Sequence, residues 1–233
     1  MWWSFVSCSW FATTEAQESS NSHPLSFEEN NPTERKNMMK TSCDNLEQKG
    51  LKRDVCTKAV NAFYVALDKG ETKSPVYTVI DMTMHSKEKR LWTFNLSTGE
   101  LLFTLRAAHG RNSDVNHDGL LDTVSNVPSS KQSSVGLYKT AEEYIGTHGR
   151  SLKLDGLEKG FNDNARERAI VIHGASYVTE EYVEQYGKSG RSWGCPAVST
   201  LHSEDLIDSI SEGQMVFVYY PDVAWLSEST YLQ

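Results

Sequence analysis

Ile170-Val171-Ile172-His173-Gly174-Ala175-Ser176-Tyr177, followed by Gly190-Arg191-Ser192-Trp193-Gly194-Cys195-Pro196-Ala197-Val198, is the most informative pair of segments in the chain. The first reads as a buried strand that delivers a histidine at its end. The second packs two glycines, a hydroxyl and a thiol into one loop, where small residues let backbone N–H groups approach a substrate and form an oxyanion site. A thiol becomes a good nucleophile when an imidazolium stabilises its thiolate, and the imidazole can then pass the proton to a leaving amine. His173 and Cys195 can supply that pair. Taken singly, each has a plainer reading, a hydrogen-bonded surface histidine and a small buried apolar residue.

Outward from these segments, period-two patterns and short apolar runs predict strands at Val76–Met84, Leu91–Leu96, Leu101–Ala108, Ile170–His173 and Met215–Tyr220. Ser97-Thr98-Gly99-Glu100 reads as a hairpin turn between two of them. Two short helices interrupt the strands, one around Glu180–Tyr186 and one capped by Ser203 with Leu206, Ile207 and Ile210 on its buried face. The fold class is therefore mainly β with short helices (α+β), over about residues 75–221. Upstream, Val55, Ala59, Val60, Phe63 and Leu67 recur at helical spacing and Gly70 ends the pattern, which predicts an amphipathic helix in front of the strands.

Glu15 to about Asn45 is rich in Ser, Asn, Glu and Pro, and reads as a polar tether covering 17–45. Trp2 to Ala12 is an apolar run of signal-peptide length, and Thr14-Glu15-Ala16 offers a small-residue cleavage spacing; export with removal of residues 1–16 is the expectation, although no Lys or Arg precedes Arg35. The catalytic domain is then expected at 46–221, with a C-terminal tail at 222–233.

The 23 Lys and Arg residues against 31 Asp and Glu give a net charge of −8, the wrong sign to attract nucleic acid or anionic lipid. Six Trp, ten Tyr and eight Phe suffice for a core in 233 residues. No stretch approaches the roughly 20 apolar residues of a membrane-spanning helix, so an integral membrane protein is not expected. The cysteines at 8, 43, 56 and 195 form no C-x-x-C pair and no zinc spacing. Cys43 and Cys56 can pair in an oxidising compartment or remain two buried thiols, and Cys195 would be the odd thiol of an exported chain.

Ser192-x-Gly194-Cys195 begins eighteen positions after Gly174, and the stretch Asn162-Asp163-Asn164-Ala165-Arg166-Glu167-Arg168-Ala169 leads into the histidine strand. With Ala108-His109-Gly110-Arg111 and Ser133-Ser134-Val135-Gly136-Leu137-Tyr138, these motifs resemble the L,D-transpeptidase (YkuD-type) family, and most closely its murein L,D-transpeptidase catalytic-domain branch, over about residues 50–221. The resemblance implies a β-sandwich catalytic domain, a periplasmic or cell-surface location, and acyl transfer on peptidoglycan. Cys195 would attack a tetrapeptide stem, releasing D-alanine and leaving a thioester, and an amine of a second stem would complete a 3→3 cross-link. His173 would act as acid and base, with the Gly174 carbonyl orienting it. The N–H groups of Gly194 and Cys195 would be the oxyanion donors, and Ser192 would steady the loop or touch substrate. Tyr177, Arg191, Trp193 and Arg168 are the expected substrate contacts, and Arg166 is a further candidate for a stem carboxylate. Trp193 and Ala197 depart from the broad family, which has His and Arg or Asn there; both fit the narrower branch.

No cofactor is expected, because thiolate catalysis needs no metal. Asp114-x-Asn116-x-Asp118-Gly119-x-x-Asp122 has the oxygen spacing of a calcium loop, yet its twelfth position is Ser125 rather than a bidentate Glu, and an acidic turn explains the same letters. Two alternatives stand beside the transpeptidase: an L,D-carboxypeptidase using the same residues, and a peptidoglycan-binding module that has lost catalysis.

Overall fold

Met215-Val216-Phe217-Val218-Tyr219 is apolar at every position because both of its faces are covered, the condition under which a strand loses its polar alternation. In the computed structural model, which describes Met1 and residues 31–233, Met215, Phe217 and Tyr219 enter one hydrophobic core while Val216 and Val218 enter another. The expected signal at 1–16 lies outside the described residues.

Among the described residues, eight strands form one mixed sheet: β1 (Val76–Asp81), β2 (Leu91–Asn95), β3 (Leu101–Leu105), β4 (Gly136–Gly146), β5 (Gly149–Gly156), β6 (Val171–Ala175), β7 (Val198–Ser199) and β8 (Met215–Tyr219), in the order β3-β2-β1-β8-β4-β5-β6-β7. β1 pairs parallel with β8 and antiparallel with β2, and β6 pairs parallel with β7. The other neighbours are antiparallel. Among the described residues, five α-helices accompany them: α1 (Pro32–Glu47), α2 (Arg53–Asp68), α3 (Glu180–Tyr186), α4 (Ser203–Ile210) and α5 (Val223–Glu228). The expected class, mainly β with short helices behind an N-terminal helix, is the one observed. The predicted turn at Ser97–Glu100 joins β2 to β3, with Gly99 at φ +72°.

The first core lies under α1, α2 and α5, where Val55, Ala59, Val60 and Phe63 meet Tyr77, Trp92 and Phe217. The second lies under α4, whose Leu206, Ile207 and Ile210 meet Ile80, Leu152 and Ile172.

Four expectations need correcting. Residues 32–45 of the expected tether are helical, because Asn31-Pro32-Thr33-Glu34 is a complete helix start: the Asn31 side chain accepts from the Thr33 and Glu34 N–H groups, and Glu34 accepts from the Asn31 N–H. Ser203 is inside α4 rather than its cap, since His202 precedes the helix and makes no side-chain capping bond. The tail is part of the core, because α5 buries Trp225 completely and its Nε1–H donates to Glu158 at 2.9 Å. Finally, β4, β5 and β7 are strands the apolar pattern did not reveal.

Glu158 also accepts the Leu137 N–H at 2.7 Å. Burial pushes its carboxyl up. Gly136, at φ +110°, has to be glycine there: a Cβ would stand 2.5 Å from Glu158 Oε1.

Cys43 on α1 and Cys56 on α2 form a disulfide and are both buried. It closes a loop with a sequence separation of 13, for which loop entropy gives about 3 kcal/mol. Replacing both cysteines by serine is expected to lower unfolding free energy in urea by about that amount; an unchanged midpoint would show that α1 is held without the bridge.

Candidate active site

Parallel pairing of β6 with β7 sets Gly174 opposite Val198 and Ala175 opposite Ser199. The loop that leads into β7 brings the Cys195 thiol to the histidine strand, beside the Val171 N–H. Cys195 and His173 accordingly line one cavity of about 660 Å³. His173 is buried and its Nδ1–H donates to the Gly174 carbonyl at 3.0 Å. A carbonyl only accepts, so this bond fixes the Nδ1–H tautomer and leaves Nε2 unprotonated in the neutral ring. Gly174 allows the close approach of α4: a Cβ on it would lie 2.6 Å from Ser203 Oγ.

The cysteine loop is held from inside and from below. Ser192 Oγ donates to the Cys195 carbonyl at 2.6 Å and accepts the Gly194 N–H at 3.0 Å, so Ser192 steadies the loop. Gly194 has φ +124°, and a Cβ there would meet the Gln132 carbonyl at 2.6 Å. Below, residues 108–111 pair with the loop through Ala108 N–H to Ala197 O, Ser192 N–H to His109 O, and Arg111 N–H to Ser192 O.

That shelf rests on Arg90, a fully buried arginine the sequence reading missed. Its Nε and Nη2 donate to the Ala107 carbonyl and its Nη1 to the Met84 carbonyl. Nη2 also donates to His109 Nδ1 at 2.8 Å, while His109 Nε2 faces Asp114 at 3.4 Å. Burial and the neighbouring Arg90 charge pull His109 down to about 3, so it is a neutral link in this chain.

The expected substrate contacts differ in their freedom. Tyr177 and Trp193 line the cavity, Trp193 being 68% exposed with the Lys131 ammonium 4.5 Å from its ring centre. Arg168 also lines it, yet its guanidinium is tied to Ser125 O, Ser134 Oγ, Ser130 Oγ and Gln132 O. Its contribution is to pin the 125–134 segment and to place a positive charge near the thiol. Arg191 reaches away from Cys195 to the carbonyls of Arg111 and Asp114 and to His117 Nδ1. Arg166 is not at the site, because it forms ion pairs with Glu142 and Asp155.

His148, in the turn between β4 and β5, stacks on His173 with ring centres 4.3 Å apart. The glycines in Gly146-Thr147-His148-Gly149 were the only signal that a hairpin tip stood there.

Burial pushes the Cys195 thiol up, opposed by the Val171 N–H and the Arg168 charge. Burial, aided by His148 and opposed by the Gly174 bond, lowers His173. At neutral pH the resting pair is therefore thiol and imidazole rather than thiolate and imidazolium. Two pH effects should follow: the acid limb of turnover, set by protonation of His173, falls below the ordinary imidazole value near 6.5, and iodoacetamide labelling of Cys195 has its midpoint above the usual cysteine range near 8.5. A thiol that alkylates at full rate at pH 6 would overturn this assignment.

In the Asp114–Asp122 turn, the carboxylates serve the backbone. Asp114 accepts from the Asp118 and Gly119 N–H groups, Asp118 from Leu120, and Asp122 from Val115. Among the described residues, no three His, Cys, Asp or Glu side chains converge as a metal site would require, and no helix is long and apolar enough to cross a membrane.

Among solved structures, the chain is similar to an L,D-transpeptidase from Mycobacterium smegmatis (14% identity, 64% of this chain and 60% of that one, TM-score 0.39). It is also similar to one from Stackebrandtia nassauensis (16%, 71% and 66%, 0.37) and to the helical cell shape determining protein Pgp2 from Campylobacter jejuni (12%, 71% and 55%, 0.41). The chain thus spans less than two thirds of the length of each. No curated protein matches. Residues 47–219 match the family described as the L,D-transpeptidase catalytic domain, and since that match takes in well over half of its length, the chain belongs to this family.

Proposed function

We propose that the chain is a cysteine-dependent murein L,D-transpeptidase, acting on peptidoglycan tetrapeptide stems. The observation that carries this reading is the shared cavity of Cys195 and His173, with His173 locked so that its Nε2 is free to take a proton. Nε2 removes the thiol proton as sulfur attacks the carbonyl of the third stem residue. The C–S bond forms, the C–N bond to D-alanine breaks, and His173 returns the proton to the departing amine. An acceptor amine then attacks the thioester and yields the 3→3 cross-link.

The Cys195 N–H is the first oxyanion donor. The Gly194 N–H, held by Ser192 in the resting loop, joins only when that bond opens. Each such donor is worth about 3 kcal/mol. Arg168 favours the developing thiolate. The disulfide supports an oxidising, periplasmic or cell-surface location.

The test is mass spectrometry of purified disaccharide-tetrapeptide after incubation with the chain. D-alanine release with a new dimer is the expected result. Tripeptide alone would assign an L,D-carboxypeptidase, and substrate left intact across several stem chemistries would leave the binding-module reading in its place.

A further inference from the structure

A second cleft, of about 450 Å³, adjoins the catalytic cavity and shares Arg191 and Trp193 with it. It lies between α3 and the 111–117 turn, and its walls include Arg111, Lys188, Tyr182 and Tyr186. Elsewhere in this acidic protein, Arg90 and Arg168 are tied to carbonyls, hydroxyls and an imidazole. Arg35, Arg53, Arg106, Arg150 and Arg166 each pair with a carboxylate. Among the described residues, Arg111, Arg191 and Lys188 make no ion pair. Arg191 is aimed by two backbone carbonyls, and the nearby Asp114 carboxylate is turned onto its own loop's N–H groups. Exposed rings stand beside these charges: Tyr186 is 55% exposed, and Tyr182 packs against it at 4.4 Å.

We infer that this cleft is the acyl-acceptor subsite, which holds the carboxylates of a second stem peptide and thereby decides between transfer and hydrolysis. The inference rests on the transpeptidase reading. Guanidinium and ammonium groups bind carboxylates by charge-assisted hydrogen bonds. The same cations repel the acceptor's ammonium and favour its neutral, nucleophilic form, so the peptide is oriented with its carboxylates in the cleft and its amine toward Cys195. The rings pack on the aliphatic part of the diamino side chain. The amine nitrogen bonds to the thioester carbonyl, the C–S bond breaks, and the amine proton passes through His173 Nε2 to Cys195 sulfur, restoring the neutral pair. With the cleft empty, water takes the amine's place and the tripeptide leaves.

The experiment measures how the acyl-enzyme partitions, as the ratio of dimer to tripeptide, in the wild type and in Lys188→Ala and Lys188→Glu. The expected result is a fall in that ratio of about ten-fold with Lys188→Glu and less with Lys188→Ala. Amidating the acceptor's carboxylates should lower the wild-type ratio similarly and leave Lys188→Glu almost unaffected. A Lys188→Glu ratio equal to wild type, or one equally sensitive to amidation, would overturn the proposal. Binding of an acceptor tripeptide to the Cys195→Ala chain, followed by Trp fluorescence, tests the cleft without turnover. Binding weakened by Lys188→Glu supports it even if the wild type releases no D-alanine, the result that would sink the catalytic reading alone; binding indifferent to Lys188→Glu overturns it.

Discussion

Cys195→Ala is expected to abolish D-alanine release, with a loss of at least about a thousand-fold, and to remove the covalent mass adduct formed with a carbapenem. His173→Gln should cost a comparable factor, and the double variant little more, because nucleophile and base act as one unit. Neither loss should come from unfolding. The Cys195 sulfur donates to the Ala169 carbonyl at 3.6 Å, a long contact whose removal should move the melting temperature by no more than a few degrees. A Cys195→Ala chain that still trims stems would place the nucleophile elsewhere, whereas a chain that melts far lower would make the experiment one about folding. Cys195→Ser extends the comparison, since a hydroxyl is far less acidic than a thiol and His173 alone activates it poorly.

Arg90→Met should be strongly destabilising, at about 3 kcal/mol or more, or roughly 6–12 °C in melting temperature for a chain of this size. Methionine keeps much of the volume but leaves the carbonyls of Ala107 and Met84 and the Nδ1 of His109 without their donor. Arg90→Lys should recover little, because one ammonium cannot fork across the same acceptors. Since residues 108–111 hold the cysteine loop by three backbone bonds, the variant should also lose turnover below its melting temperature while alkylation of Cys195 persists. Arg90→Met with wild-type turnover and stability would show that the shelf supports itself.

How much was legible follows from how each element is stabilised. β1, β2, β3, β6 and β8 announce themselves because their apolar residues enter a core. β4 and β5 do not: Glu142, Glu143, Tyr144 and Ile145 stand exposed, and only Leu137, Tyr138, Leu152 and Leu154 reach a core. With that hairpin the reading also lost His148. α1 buries only Ser42, Cys43 and Leu46 and is fixed by its cap and a disulfide, neither of which leaves a hydrophobic stripe; the capping residues were nonetheless in plain view. The cysteine loop was readable because glycine, serine, histidine and cysteine have few joint reasons to cluster. Arg90 and Lys188 were not, since a buried guanidinium and an unpaired ammonium look like ordinary surface charges until partners are placed around them.

The division of the sheet's apolar residues into two cores has an evolutionary consequence. The helical layer of α1, α2 and α5 packs on one face, while β6 and the loop that bears the thiol are supported from the other. Changes in the two layers should combine almost independently, as they do for sites that share no partners. Relatives can therefore rebuild the helical layer, or graft another module onto it, while the cleft keeps its geometry.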